Sequence, residues 1–282
     1  MSRGIYTATS GLLTIIRDIN VRSNNMANVA TAGFKEDRLV TTTFAEAIAQ
    51  RQDIRTIGAK IEIGTSVRGK KALEIQTNFM QGGLEFTSRT LDFAIAGEGF
   101  FTIGYMESED ADDYTVYYTR NGQFQISPYD ETTDEGGYLV FGDAGHYVLD
   151  EDGERIQIIN SNLAINERSA FTINEFGTLI AADETDIATL GIFVPQDPDL
   201  LIKKDDESFS APWDLANNEP YELETLEFTG IIWQGYTERS NVDMAAQMAA
   251  LIANSRSYQS MTQIIKTIDA VKNKSANELG KV

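Results

Sequence analysis

Hydrophobic and polar positions change their period twice along the chain. Near the N-terminus Ile5, Ala8, Leu12, Ile15, Ile19 and Met26 recur at steps of three, four or seven, with Leu13 and Ile16 widening the stripe. This is the spacing of one face of an amphipathic helix. Met244, Met248, Leu251, Tyr258, Met261, Ile265 and Ile268 repeat it at the other end. The first stripe predicts a helix over 3–30 that stops before Thr31-Ala32-Gly33, where Gly33 suits a C-terminal cap. The second predicts a helix that begins after Arg239 and runs to about Lys274. Ser240-Asn241-Val242-Asp243 has the form of a capping box, and Lys266, Lys272 and Lys274 complement the dipole at the far end. A helix of about 28 residues is roughly 40 Å long, so the two ends of the chain are expected to lie side by side as a hairpin or coiled coil.

Between the helices the period is two. Leu91, Phe93 and Ile95 alternate with Asp92, Ala94 and Ala96, and Gly97-Glu98-Gly99 permits a reversal into Phe100-Phe101-Thr102-Ile103, which predicts a hairpin. Tyr117 to Arg120, Asn121-Gly122 and Phe124-Gln125-Ile126 predict a second, because Asn-Gly tolerates a type I′ turn. Further strands are expected at 138–141, 147–149, 155–159, 171–173, 178–181 and 189–194. The stretch 195–220, with four of the five prolines, is expected to be mostly loop. The fold class is therefore α+β, a central all-β domain (sandwich or irregular barrel) with N- and C-terminal helices pairing as a discontinuous coiled-coil axial domain. The expected domains are an axial helix at 1–33, an extended linker at 34–63, a β-rich domain at 64–238 and a second axial helix at 239–282. Within the linker, Phe44 to Ala49 is compatible with a short helix.

Composition narrows the classes. A chain of 282 residues with 42% hydrophobic content can bury a sizeable core. No apolar run reaches the eighteen or so residues of a membrane span, and the N-terminus lacks the pattern of a cleavable signal peptide. Direct membrane insertion is not expected, and the chain either stays inside or leaves by another route. The absence of cysteine excludes disulfides, thiolate metal sites and cysteine nucleophiles. Formal net charge is −20, and from Glu107 to Glu154 fourteen acidic residues face one basic residue, Arg120. A middle like this repels phosphate, so nucleic acid is not an expected partner.

Candidate chemistry is sparse. His146 is the single histidine, too few for a histidine metal site, and no nucleophile accompanies it. Asp150-Glu151-Asp152-Gly153-Glu154 lacks the ligand alternation and distant glutamate of a calcium loop and reads as a turn. Gly97-Glu98-Gly99 lacks the third glycine of a dinucleotide-binding turn. No catalytic residue, metal ligand or cofactor is assigned, and enzymatic activity is not expected. Trp213, Trp233 and Phe100-Phe101 read either as core and sheet packing or as a carbohydrate-binding platform. The helical stripes read either as an intramolecular hairpin or as helices that assemble with neighbouring subunits.

Three motifs in order along the chain carry a resemblance. Arg3-Gly4-Ile5-Tyr6-Thr7-Ala8 with Ser23-Asn24-Asn25-Met26-Ala27-Asn28-Val29-Ala30-Thr31-Ala32-Gly33-Phe34-Lys35 resembles the signature of bacterial flagellar rod and hook proteins. Leu91-Asp92-Phe93-Ala94-Ile95-Ala96-Gly97-Glu98-Gly99-Phe100-Phe101 and Tyr118-Thr119-Arg120-Asn121-Gly122-Gln123-Phe124 look like that family's central β motif. Ser240-Asn241-Val242-Asp243, Ser257-Tyr258-Gln259 and Ile264-Ile265-Lys266-Thr267-Ile268-Asp269 resemble its C-terminal helix. The opening and the length look most like the proximal-rod members, with distal-rod members close behind. The chain departs from the family in its long acidic segment 107–154 and in Ala30-Thr31-Ala32, where Asn and Thr are usual.

The resemblance implies a structural subunit of the flagellar basal body, exported unfolded by the flagellar type III apparatus into the cell envelope. Copies of it, with other rod and hook proteins, would polymerise through the terminal helices into an open helical shaft. The assembly residues so implied are Ile5, Leu12, Ile15, Ile19, Asn24, Asn25, Met26, Asn28, Gly33 and Phe34 from the first segment, with Asn241, Val242, Met248, Leu251, Tyr258, Ile265 and Ile268 from the last. The rival class is a secreted cell-wall or carbohydrate-binding protein built on the β domain.

Overall fold

The computed structural model describes residues 2–43, 47–52, 60–66, 70–105, 115–130, 135–142, 146–158, 171–181, 185–214, 219–220 and 223–279. Its elements are mostly short strands in several sheets, together with two long helices. The chain divides into two contact units, each assembled from segments far apart in sequence: Met1–Ala27, Asp37–Asn78 and Asp243–Val282 form one, and Asn28–Glu36 with Phe79–Val242 form the other.

The first unit holds helix α1, Ser2–Ala27, and helix α2, Met244–Leu279. The N-cap of α2 is Asp243, whose Oδ1 accepts from the amides of Ala245 (2.9 Å) and Ala246 (3.2 Å). Ser240 accepts instead from the Val242 amide, so helix α2 starts three residues later than a box opened by Ser240 would place it. At the other boundary α1 ends at Ala27 and a turn follows, closed by Thr31 N–H to the Asn28 carbonyl at 3.2 Å. Gly33 does take a positive φ, +69°, but beyond the helix, where its task is close packing. Strand β1 (Asp37–Thr43) pairs antiparallel with β4 (Lys70–Thr77), and β2 (Ala47–Gln52) with β3 (Lys60–Ser66). Much of the stretch read as extended linker is thus paired strand. Ala47 to Ala49 are strand, not helix, while Phe44 to Glu46 lie outside the described residues.

In the second unit β5 is Leu84–Phe86, β6 is Phe93–Ala96, β7 is Phe100–Tyr105, β8 is Thr115–Thr119 and β9 is Phe124–Ile126. Both expected hairpins are corrected. β6 pairs with Ile231–Gln234 and not with β7. β8 pairs with β7 and with Ser208–Ser210, and β9 pairs with Leu139–Phe141. The glycines that suggested reversals permit close approaches instead: a Cβ on Gly122 would fall on the Phe93 carbonyl, and one on Gly99 on the Ile192 and Val194 side chains. Gly122 also accepts from the Phe93 amide at 2.9 Å, so the chain at Asn121-Gly122 docks across β6.

β7 lies near the middle of the largest sheet, paired with β8 on one edge and with His146–Val148 and Ile192–Phe193 on the other. Three strands, Phe171–Ile173, Thr178–Ala181 and Asp186–Thr189, form a second antiparallel sheet. No sheet among the described residues closes, which removes the irregular-barrel alternative. Alternation along β7 serves two cores: Phe101 and Ile103 join Phe93, Phe124, Leu139, Leu179 and Ile232, while Phe100 packs with Leu201 and Phe209. Residues 195–220, expected as loop, carry a 3-10 turn at Pro198–Leu200 and short strands, among them Ile202–Lys203 and Ser208–Ser210.

Candidate functional site

The two helices meet on polar ground. Asn254 Nδ2 donates to Asp18 Oδ2 at 2.6 Å, Arg22 Nε donates to the same oxygen at 3.1 Å, and Arg22 Nη1 donates to Gln247 Oε1 at 3.2 Å. A Cβ on Gly11 would come within 3.0 Å of the Met261 side chain. Rising numbers on α2 face falling numbers on α1, so the pair is antiparallel. On α1, Gly11, Thr14, Val21 and Asn25 are buried, whereas Ile5, Leu12, Ile15, Ile19 and Met26 are only half-buried. At 3.6 residues per turn the apolar stripe lies about a quarter turn from the face that carries Gly11, Asp18 and Arg22. On α2, Leu251, Ile265 and Ile268 are half-buried, while Met244, Met248 and Tyr258 are exposed at 44%, 43% and 38%. Met244, Met248 and Leu251 are offset from the α2 seam in the same rotational sense as the α1 stripe is from its own. In an antiparallel pair that puts both sets on the same side.

The second unit brings Lys35 of the first motif and Arg120 of the central motif together with Glu238, two residues before the third, in one buried ionic cluster. Lys35 Nζ lies 2.6 Å from Glu238 Oε1, and Arg120 Nη1 lies 3.2 Å from Glu238 Oε2, with the Lys35 and Glu238 side chains each 1% exposed. Burial lowers the Lys35 pKa, opposed by Glu238 and reinforced by the Arg120 charge; Arg120 is likewise lowered by burial, with Glu238 and Glu98 opposing. Such burial is costly unless hydrogen bonds satisfy the polar atoms, and here most are satisfied, with Arg120 Nε left without a partner. Lys35 also donates to the Met80 carbonyl, Arg120 Nη2 to the Gly97 carbonyl, and the Gly82 amide to Glu238 Oε1.

The predicted assembly residues near this cluster are engaged within the chain. Gly33 donates to the Glu238 carbonyl at 2.7 Å, and a Cβ there would overlap the Asn121 backbone. Phe34 is fully buried beneath Lys203 Nζ, 3.9 Å from the ring centroid. Asn241 accepts from the Glu36 amide and donates to the Met80 carbonyl, and Val242 is buried. Asn28 accepts from Thr31. In the helical unit Asn25 exchanges two hydrogen bonds with the Asp37 backbone, at 2.7 and 2.9 Å, and Asn24 is exposed. Sequence reasoning did not assign Asp18, Arg22, Arg120, Glu238, Gln247 or Asn254. A signal existed for Arg120, the one cation in an acidic stretch, and for Asp18 and Arg22, an i,i+4 pair.

His146, the Asp150–Glu154 turn and Phe100-Phe101 resolve as structure. His146 is half-buried in a strand beside Tyr105, with ring centroids 4.9 Å apart, and burial lowers its pKa against the pull of Asp205. Asp150 Oδ1 accepts from the amides of Asp152 and Glu154, which closes a turn. Phe100 and Phe101 are core residues. Among the described residues no group of three or more acidic or histidine side chains is placed to hold a metal ion, and no helix is long and apolar enough to cross a membrane. The acidic segment 107–154 lies partly outside the described residues.

Fold and site together define a chain organised for packing and contact. Residues 94–205 match the model of the flagellar hook protein FlgE/F/G D1 domain, and residues 234–279 match that of the flagellar basal body rod FlgEFG protein C-terminal region. The chain is 30% identical to the flagellar basal-body rod protein FlgG of Bacillus subtilis, over 96% of this chain and 97% of that protein. It is 26% identical to the flagellar basal-body rod protein FlgF of Caulobacter vibrioides, over the whole of both chains. The flagellar hook-basal body complex protein FlhO of Bacillus subtilis is also 26% identical, again over the full length of both. The chain belongs to the flagellar basal-body rod protein family.

Proposed function

We propose that this chain is a structural subunit of the bacterial flagellar basal-body rod, which polymerises through its terminal helices into the torque-transmitting shaft. Family membership supports the location in the basal body and other rod and hook proteins as partners. The observation that carries the assembly surface is the polar seam between α1 and α2. Asp18, Arg22, Gln247 and Asn254 hold the pair together while Leu12, Ile15, Ile19 and Met248 keep apolar surface available on one side. Lateral packing of that side against helices of neighbouring copies, in coiled-coil fashion, would bury it at about 25 cal/mol per Å². Export by the flagellar type III apparatus and non-enzymatic action belong to the same reading. The resemblance of the opening Arg3 to Ala8 favours the proximal section of the rod.

Substitutions on that side test it. We expect Leu12→Asp and Met248→Asp to prevent incorporation into basal bodies while the circular dichroism and melting of the β unit stay at wild-type values. Normal incorporation of both variants would refute the assembly face.

A further inference from the structure

The chain passes between its two contact units four times, at 27/28, 36/37, 78/79 and 242/243. Segments that follow or precede these crossings meet at one residue, Glu238. Glu238 accepts from Lys35, which adjoins the second crossing, and from the amide of Gly82, which follows the third. Its own carbonyl accepts from Gly33, in the short segment between the first two crossings, and its strand leads directly into the fourth. The Met80 carbonyl is shared by Lys35 and Asn241. Arg120 binds the opposite oxygen of Glu238 and fixes the cluster to the sheet through β8.

We propose that Glu238 is a latch within the second unit, so that the segments 28–36, 79–82 and 236–242 close together or open together. Two cations meet at one anion, so the cluster is stable only while the carboxylate is present. Without it Lys35 and Arg120 are left as like charges in a site closed to water, and like charges buried together repel strongly. The latch is delivered by a strand more than two hundred residues after Lys35, as their hydrogen bond spans 203 positions. A chain that lacks its last strand therefore cannot close the segment that follows α1.

The test is hydrogen–deuterium exchange on the isolated full-length chain, which is independent of assembly. Glu238→Gln is expected to speed exchange of the Gly33 and Gly82 amides together, by roughly tenfold or more, while amides of the sheet core such as Phe124 and Leu139 hold their wild-type rates. Lys35→Met keeps one cation against one anion and is the variant expected to fold in any case. It should speed the same two amides severalfold and remove most of the further effect of Glu238→Gln, since coupled partners are not additive. Unchanged exchange at either amide in Lys35→Met, or simple addition of the two effects, would overturn the latch. Should Glu238→Gln unfold the whole chain, the Lys35→Met result decides alone.

Discussion

Gly33 combines φ of +69° with an approach to Asn121 that leaves no room for a methyl group. Gly33→Ala should therefore cost about 1–2 kcal/mol from the backbone alone, seen as a lowered melting temperature; an unchanged melt would contradict the close approach. His146 gives a signed pH effect. Its folded pKa is lowered, so the unfolded chain binds the proton more readily, and stability falls as pH drops below about 6.5. Glu207 has the opposite sign: burial raises its pKa, with Asn121 opposing and Asp206 reinforcing, so its contribution declines as pH rises above the ordinary glutamate value. Urea titrations at about pH 7 and pH 5 should show His146→Phe losing less stability on acidification than wild type, and equal losses would refute this. Gly33 was read as a helix cap, whereas α1 ends at Ala27 and the positive φ of Gly33 serves close packing beyond it. The Lys35–Glu238–Arg120 cluster was not legible, because ion pairing between residues 203 and 118 positions apart leaves no local period or spacing.

Elements were legible where period and cap agree. Both helices followed from their apolar steps, but the capping box was read from Ser240, whereas Asp243 is the N-cap and the helix starts at Met244. Asp243→Ala should cost about 1 kcal/mol, detected as faster amide exchange at Ala245 and Ala246; unaltered exchange would show the cap to be idle. The same apolar steps were a poor guide to which face of α1 is buried, since polar residues take it: Asp18 bonds Asn254 across the seam, Thr14 bonds back to the Ser10 carbonyl and Asn25 bonds the Asp37 backbone. Turn chemistry misled at Gly97-Glu98-Gly99 and Asn121-Gly122. Glycine marks close backbone approach as readily as it marks reversal, and here β6 and β8 found partners far along the chain. Sequence period cannot report such non-local pairings.

At the scale of the whole molecule, composition and motif order foretold a mixed α and β chain with helices at both ends, and the comparisons place it in the rod protein family. The division into units cuts across sequence order. Strands at 37–77 group with the helices, and residues 28–36 group with the β unit, an arrangement that only long-range packing decides. We propose that the terminal helices build the rod. Electron microscopy of basal bodies, with swimming assays, from a deletion strain complemented with the full chain or with residues 32–282 tests it most directly. We expect rods and motility only with the full chain. Rods in the deletion strain itself, or in the strain that carries 32–282, would contradict the claim.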